Sequence, residues 1–341
     1  MSIKLSSHTR AVFQAFLVTF LWATSWVLIK HGLQDIPALP FAGLRYTLAF
    51  LFLLPFGVRS GAVRTLQKLP WATWRRLLSL GLLLYAATQG AQFLSLAYLP
   101  AATASLMLSF TAVIVALAGV WLLRERPRPL QWLGAGFYLA GVLIYLYPAS
   151  FPRADRIGLV VALAGVLANA AAALLGRAIN RRGDLDPLAI TLASMGSGAI
   201  VLLLVGIAVQ GLPSLSLTNW LIILWLAAVN SAFAFTLWNR TMRELSAMES
   251  TVINNTMLFQ IAILAWLFLG ETLSARQIVA ILIALIGTVL VQWRPHAGRP
   301  HAGRPQAAYN PGEPNSRVLK KDDPSANRTG HALDSRGDDG I

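Results

Sequence analysis

Ten stretches of mostly apolar residues follow one another along this chain, separated by short polar connections. A helix needs about 20 such residues to cross the hydrocarbon core of a bilayer, and each stretch is close to that length. Only 12% of the residues are charged, against roughly 25% in a soluble domain. We therefore predict an all-α integral membrane protein with ten transmembrane helices. The predicted spans are residues 11–31, 38–57, 77–97, 101–123, 130–148, 157–177, 188–210, 218–239, 246–270 and 275–293.

The net charge of +14 follows membrane topology and predicts no nucleic-acid partner. Lys and Arg residues lie in the short connections and do not cluster with aromatic residues on one soluble module. If the amino terminus is inside, the cytoplasmic segments before residue 294 hold 15 Lys and Arg residues, and the opposite side holds four. This bias predicts that both termini lie in the cytoplasm.

The two halves of the chain repeat one another. Residues 99–147 align with residues 245–293 at an offset of 146 without a gap, and the scarce residues Glu125 and Gln131 meet Glu271 and Gln277. Since each half has five spans, the second half must insert upside down. The sequence thus predicts two inverted five-helix repeats with a substrate site near the bilayer midplane between them. The predicted domains are residues 1–150, residues 151–294 and a disordered cytoplasmic tail of residues 295–341.

Four segments read FLWATSWVLIKHGL, PFAGLRYTLAFLFLLP, LPAATASLMLSFTAVIVALAGVWLLRERP and AWLFLGETLS, in that order along residues 11–293. Together they resemble the drug/metabolite transporter superfamily, EamA type. The resemblance implies ten helices, both termini in the cytoplasm and transport of small metabolites, often amino-acid export, across the bacterial inner membrane. The second half keeps the usual Gly270-Glu271 of this family, whereas the first half has Arg124-Glu125.

Three polar residues of the third span are spaced for one helical face. Tyr85, Gln89 and Gln92 are separated by four and three positions. A face of this kind either lines a cavity and hydrogen-bonds the substrate or forms hydrogen bonds between helices.

A second polar set occupies equivalent places in the two halves. Ser105 and Ser109 of the fourth span align with Thr251 and Asn255 of the ninth, and Asn254 lies beside them. The pattern is typical of a pseudo-symmetric substrate site. Small hydroxyl groups can equally bond to their own helix.

Aromatic and amide residues form a third set. Asn230 and Trp238 lie on one stripe of the eighth span, Trp22 and Trp26 share a face of the first, and Asn169 lies in the sixth. The stripe of Asn230 and Trp238 could present an aromatic wall and an amide to an amphipathic substrate, and the residues of the first and sixth spans could also belong to a site. Membrane-interface anchoring of Trp238 and simple packing of the others are equally open.

Arg45 lies about eight residues into the second span, roughly 12 Å along the helix axis. An Arg at membrane depth is a candidate functional residue because its insertion costs about 2.5–3.5 kcal/mol. It could attract a substrate carboxylate. It could also extend toward the membrane surface, or bond carbonyl groups and so hold helices together.

Three carboxylates are candidates for coupling or gating. Glu249, near the start of the ninth span, could couple transport to protons or form a surface ion pair with Arg243. Glu125 and Glu271 fall between consecutive spans, where a carboxylate favours the amino terminus of the following helix. We assign those two a structural or gating role.

The sequence favours a secondary transporter over an enzyme. It has no Cys, no His-Glu-x-x-His, no Gly-x-Ser-x-Gly and no phosphate-binding Gly-x4-Gly-Lys motif. We therefore predict no cofactor and no metal, a small-molecule substrate, surrounding lipid, possible proton coupling, and a monomer or homodimer. An integral membrane enzyme acting on lipid-linked substrates, and a non-transporting scaffold or scramblase, remain as alternatives.

Overall fold

The computed structural model describes residues 6–115, 118, 129–147, 153–180, 183, 185–242, 244–245 and 247–292. Every regular element among these residues is a helix, and all of them belong to one compact unit, Met1–Arg294. The predicted tail, residues 295–341, lies outside the described residues. The helices are α1 (Ser7–Gly32), α2 (Ala38–Arg59), α3 (Ala62–Gln67), α4 (Trp71–Tyr98), α5 (Ala101–Ser109), α6 (Pro129–Leu146), α7 (Arg153–Asn180), α8 (Pro187–Gln210), α9 (residues 217–241), α10 (Ala247–Asn255), α11 (Met257–Leu269) and α12 (Ala275–Gln292).

The described part of the chain holds eight helical stretches that are long and apolar enough to cross a membrane, and one of them, Val252–Leu269, runs across the junction of α10 and α11. This confirms a helical protein with several membrane-spanning segments. Two further apolar helices, Ala101–Val115 and Ala275–Val291, are shorter. The count of ten spans therefore stays a prediction.

The bounds of two predicted spans differ from the observed helices. The helix of the third span begins at Trp71, six residues before the predicted start, because Pro70 precedes it in an extended conformation and Pro readily leads into a first helical turn. The predicted ninth span consists of two helices, α10 and α11, which separate at Thr256.

Small residues bring α6 and α12 into close contact within the chain. A Cβ atom on Gly134 would lie 2.6 Å from the backbone N of Val291, and one on Gly141 would lie 2.6 Å from that of Ala284. Gly136 on the same helix faces open space. The stripe of small residues therefore serves internal packing of α6 against α12.

Helix α8 packs equally closely against α2 and α4. A Cβ atom on Gly43 of α2 would lie 2.5 Å from the Cα of Leu203. A Cβ atom on Gly198 would overlap the backbone of Gly81 in α4. Neither helix pair has room for a larger side chain at these points, so backbone contact fixes the position of α4 beside α8.

Helices α4 and α9 each contain a π-helical segment at a similar place. The segments are Leu82–Thr88 and Leu226–Phe233, and the 146-residue offset of the sequence repeat maps the first onto residues 228–234. Such wide turns often occur at functional sites. Each wide turn rotates the helix that follows it. Side chains of α4 and α9 therefore point in directions that they would not take on a regular α-helix.

Helix contacts come in corresponding pairs. Helix α2 packs on α8 and α6 on α12, while α4 packs on α7 as α9 packs on α1. Helix α4 also contacts α8, as α9 contacts α2. The main apolar core draws buried side chains from both halves of the chain.

Candidate functional site

Asn230, in the π-helical segment of α9, connects that helix to α1. Its side chain is fully buried. The Nδ2 group donates to the carbonyl oxygen of Leu21 and lies 3.4 Å from the hydroxyl of Thr24. The indole N–H of Trp22 donates to the backbone carbonyl oxygen of Asn230 at 3.1 Å. The side-chain oxygen of Asn230 has no hydrogen-bond partner among the described residues, so it is an acceptor available to another molecule.

Three aromatic rings form a wall between α1 and α9. The ring of Trp22 lies 5.3 Å from that of Trp238 and 5.3 Å from that of Phe235, measured between centroids. Trp26, predicted on the same face as Trp22, is instead 6% exposed and packs in the main core. The structure thus brings Trp22 and Trp238 together and places Trp26 among core residues.

Arg45 is buried, with 4% of its surface exposed. Its Nε donates to the hydroxyl of Ser231 in α9 at 3.3 Å. Its guanidinium carbon lies 5.0 Å from the ring centroid of Tyr46 and 5.8 Å from that of Phe93. It does not extend to the membrane surface, and no carboxylate in the described part of the chain forms an ion pair with it. Helix bridging and cation–π contacts therefore stabilise the charge without neutralising it.

Tyr46 joins two of the residues predicted on α4. Its hydroxyl donates to Oε1 of Gln89 at 2.7 Å, and its ring lies 5.5 Å from that of Tyr85. Tyr85 is buried and Gln89 half-buried. Gln92 is half-buried too, but its side chain shows no hydrogen bond to this group within the described residues. Tyr85 and Gln89 therefore meet at the α2–α4 contact, beside Arg45.

The hydroxyl pair of the first half bonds to its own helix. Ser105 donates to the carbonyl of Ala102 at 2.9 Å, and Ser109 donates to the carbonyl of Ser105 at 2.8 Å. This geometry matches the structural alternative for these residues. Asn169 donates to the hydroxyl of Thr111 at 3.3 Å and so connects α7 to the segment that follows α5.

The corresponding residues of the second half lie at the end of α10. Asn254 and Asn255 are half-buried. The Nδ2 atom of Asn255 is buried and has no partner in the described part of the chain. The side chain of Thr251 lies outside the described residues. Asn255 is thus a further donor available to a bound molecule.

Sequence reasoning missed Gln260 of α11. Its Nε2 atom lies 3.2 Å from the hydroxyl of Thr19 in α1 and 3.1 Å from that of Thr256, and its Oε1 atom is buried without a partner in the described chain. A lone amide in an otherwise apolar helix was the available signal. Tyr46 and Ser231 were also missed, because their roles depend on contacts between helices.

Glu249 contacts His8 near the amino-terminal end of α1. Its Oε1 atom lies 2.8 Å from Nε2 of His8, and the two side chains are 40% and 53% exposed. Arg243, the predicted partner, lies outside the described residues, and so does Glu125. The contact joins the first and second halves at a solvent-exposed position.

The position of Glu271 corrects a prediction. Its carboxylate accepts from the backbone N–H groups of Ala101 and Ala102, at 2.6 and 3.2 Å. It therefore caps α5 of the first half and not the helix that follows it in the chain. The following helix, α12, has a cap of its own. The backbone N–H of Gln277 donates to Oγ of Ser274, and the backbone N–H of Ser274 donates to Oε1 of Gln277.

These residues form a polar and aromatic group between α1, α2, α4 and α9. We call it the central group: Trp22, Arg45, Tyr46, Gln89, Asn230 and Trp238. It combines a buried cation, amide groups and an aromatic wall, which suits a small molecule with an anionic end and an apolar part. No cluster of His, Cys, Asp and Glu among the described residues could hold a metal ion.

Comparisons with known proteins agree on one family. The model of the EamA-like transporter family matches residues 9–147 and again residues 156–293. A probable amino-acid metabolite efflux pump of Salmonella typhimurium is 25% identical over 291 residues, which is 81% of this chain and 92% of that protein. The uncharacterized inner membrane transporter YedA of Escherichia coli K12 is 25% identical over 285 residues, covering 81% and 88%.

A solved crystal structure shares the fold. It superposes with a TM-score of 0.61 at 19% identity and covers 84% of this chain and 98% of its own. The similarity extends over nearly the whole helical unit.

Proposed function

Because the chain belongs to the EamA-like transporter family, we propose that this membrane transporter exports amino acids or related small metabolites by alternating access. The family and the names of the relatives indicate a transporter and not an enzyme. The substrate class, the direction and the mechanism are our proposal.

The observation that supports this proposal most directly is the un-neutralised charge of Arg45. A buried guanidinium without a carboxylate partner is costly. Its hydrogen bond to Ser231 uses one N–H group, and a guanidinium has five. The remaining donors match the planar, two-oxygen geometry of a substrate carboxylate. Binding of that carboxylate would supply the missing negative charge.

The rest of the central group fits the other parts of an amino acid. The free oxygen of Asn230 can accept from an ammonium group. The rings of Trp22 and Trp238 offer a surface for an apolar side chain. One relative is named a probable amino-acid metabolite efflux pump, which supports the same substrate class.

The proposed architecture is ten spans in two inverted repeats with both termini in the cytoplasm. The two family matches and the corresponding helix contacts of the two halves support a duplicated bundle. The shorter apolar helices Ala101–Val115 and Ala275–Val291 supply the two remaining spans. In this arrangement the halves rock around the central group.

Transport by purified protein in proteoliposomes tests the proposal. We expect saturable counterflow of at least one labelled substrate from a panel of amino acids and their carboxylate derivatives. Arg45→Gln should reduce that flux at least about tenfold, because charge-assisted hydrogen bonds are roughly twice as strong as neutral ones. Decarboxylated analogues should not compete. An absence of flux across the panel, or unchanged competition by the decarboxylated amines, would contradict the substrate class.

Proton coupling is tested in the same vesicles with and without a pH gradient. Glu249 is the proposed coupling residue, and its exposed contact with His8 is the alternative role. If Glu249 couples, Glu249→Gln abolishes the response to the gradient while counterflow persists. An unchanged response leaves the contact with His8 as the role of this carboxylate and excludes coupling through it.

A further inference from the structure

Glu271 joins the two halves of the chain at one corner of the bundle. The residue follows Gly270, whose left-handed conformation, with φ of +67°, ends α11. Both of its carboxylate oxygens accept backbone N–H groups of α5, from Ala101 and Ala102. The bonded residues are 170 and 169 positions apart in sequence, so this contact holds one half against the other.

Lys30 occupies the other side of the same corner. Its Nζ donates to the carbonyl oxygens of Leu96 and Leu99, each at 2.7 Å. These carbonyls belong to the last turn and the C-cap of α4. We call Lys30, Glu271 and the backbone groups of residues 96–102 the corner cluster.

The signs of the two charges match the helix ends that they touch. The carbonyl end of α4 has partial negative charge and binds a cation, while the amino end of α5 has partial positive charge and binds an anion. Pro100 separates the two helices, and a Pro at this point donates no N–H of its own. The corner between α4 and α5 is therefore held by one charged side chain from each half.

We propose that the corner cluster is a gate, which closes the substrate path on this face and must open when the path opens there. The inference rests on the proposed transport function. In a carrier whose halves rock, contacts within one half persist through the cycle, whereas contacts between the halves at the closed face break. The bonds of Glu271 cross between the halves, and those of Lys30 stay within the first. When the gate opens, the hydrogen bonds of Glu271 to α5 break, whereas the hydrogen bonds of Lys30 continue to hold the end of α4.

A purely local capping role explains the arrangement less well. The helix that follows Glu271 has its own cap from Ser274 and Gln277, so Glu271 is not needed there. The positive-inside bias of the sequence places this connection on the outer face. The gate is thus expected to control access from outside.

Thiol labelling of a single introduced cysteine tests the gate. The chain has no native Cys, so Ser95→Cys gives one reporter. Ser95 is fully buried, and its carbonyl accepts the N–H of Leu99 in the corner cluster. A membrane-impermeant maleimide is added separately to each side of oriented vesicles, without substrate. In the Glu271→Gln background we expect about tenfold faster labelling from the outer side only, because the charge-assisted bonds to α5 are lost.

A matched control is Glu244→Gln, which makes the same chemical change at an exposed residue and should leave the labelling rate unchanged. Lys30→Met provides a second variant if Glu271→Gln does not accumulate in the membrane. It should also speed labelling on the same side, because the end of α4 loses the bonds that hold it, and by a smaller factor, because the bonds of Glu271 between the halves remain. Equal labelling of the wild-type and both variant backgrounds would overturn the gate.

The labelling experiment is independent of transport. Faster labelling in Glu271→Gln, together with no flux of any panel substrate by the wild type, would keep the gate and reject the proposed substrates. Saturable flux by the wild type with unchanged labelling in the variants would keep the transport function and reject the gate.

Discussion

The two π-helical segments occupy similar places in the repeat but make different contacts. In α9, Asn230 and Ser231 bond to α1 and α2, which belong to the other half of the chain. In α4, the neighbouring Gln89 bonds to Tyr46 within its own half. Contact of α4 with α8 of the other half passes through Gly81 and Gly198, where backbones touch.

This difference shows how a duplicated bundle can hold an asymmetric site. One interface between the halves, α9 with α1 and α2, is polar and contains groups with unused hydrogen-bonding capacity. The α4–α8 contact, which corresponds to that of α9 with α2, brings backbones together at Gly81 and Gly198 and leaves no room for a ligand at those points. A substrate is therefore expected on the α9 side, where Asn230 and Arg45 lie, and the α4–α8 side is expected to contribute stability.

A larger side chain in the contact between α4 and α8 should have the largest effect on stability. Gly198→Leu places side-chain atoms where the backbone of Gly81 lies, and overpacking costs about 1–3 kcal/mol of unfolding free energy, sometimes more. We expect little monodisperse protein in detergent by size-exclusion chromatography and a lower midpoint of thermal unfolding. Gly136→Leu is the control, because a side chain there meets open space. Equal behaviour of the two variants would contradict the close packing of α4 on α8.

Removing the hydrogen bond from Asn230 of α9 to α1 should have an intermediate effect on stability and a large effect on transport. Asn230→Ala removes a hydrogen bond to α1, and such bonds contribute about 0.6 kcal/mol in membrane proteins. We expect the unfolding midpoint to fall by a few degrees and counterflow to drop severalfold. Thr236→Ala on the same helix is the control, since Thr236 is exposed and bonds only within α9. Normal counterflow by Asn230→Ala would remove Asn230 from the proposed site.

Changing the amide of α4 should have the smallest effect. Gln89→Leu leaves the Tyr46 hydroxyl without its acceptor, and the lost bond lies within one half. We expect nearly unchanged thermal stability and a twofold to tenfold weaker apparent affinity, on the scale of about 1 kcal/mol for a neutral hydrogen bond. Tyr46→Phe is the matched variant, because it removes the same bond from the other side. If Gln89→Leu impairs flux more than Asn230→Ala does, the comparison between the two segments is wrong.

The sequence alone predicted the helical class, most helix positions and the family, because apolar runs and the internal repeat are local or periodic signals. It named Trp22 and Trp238 separately among the candidate site residues, and the structure brings their rings into contact. It could not predict that Glu271 caps a helix of the other half, because the partners are 170 residues apart. The backbone N–H groups of Ala101 and Ala102, to which Glu271 binds, have no sequence signal of their own.

The polar residues of the site illustrate the same limit. Ser105 and Ser109 have the spacing of a cavity face, yet their hydroxyls bond to their own helix. Spacing specifies a face of a helix but not which neighbour lies against it. Gln260 passed unnoticed for the opposite reason, since a single amide has no periodic partner. Contacts between helices that are distant in sequence decide both cases.

The matching wide turns of α4 and α9 also bear on the history of the gene. The shift that aligns the two halves in sequence brings these turns to within two residues of each other. Independent insertions would have no reason to coincide so closely. The simplest genealogy is that one ancestral half already had the turn before the gene was copied, and that the two descendants diverged afterwards, one toward polar contacts between helices and the other toward tight packing.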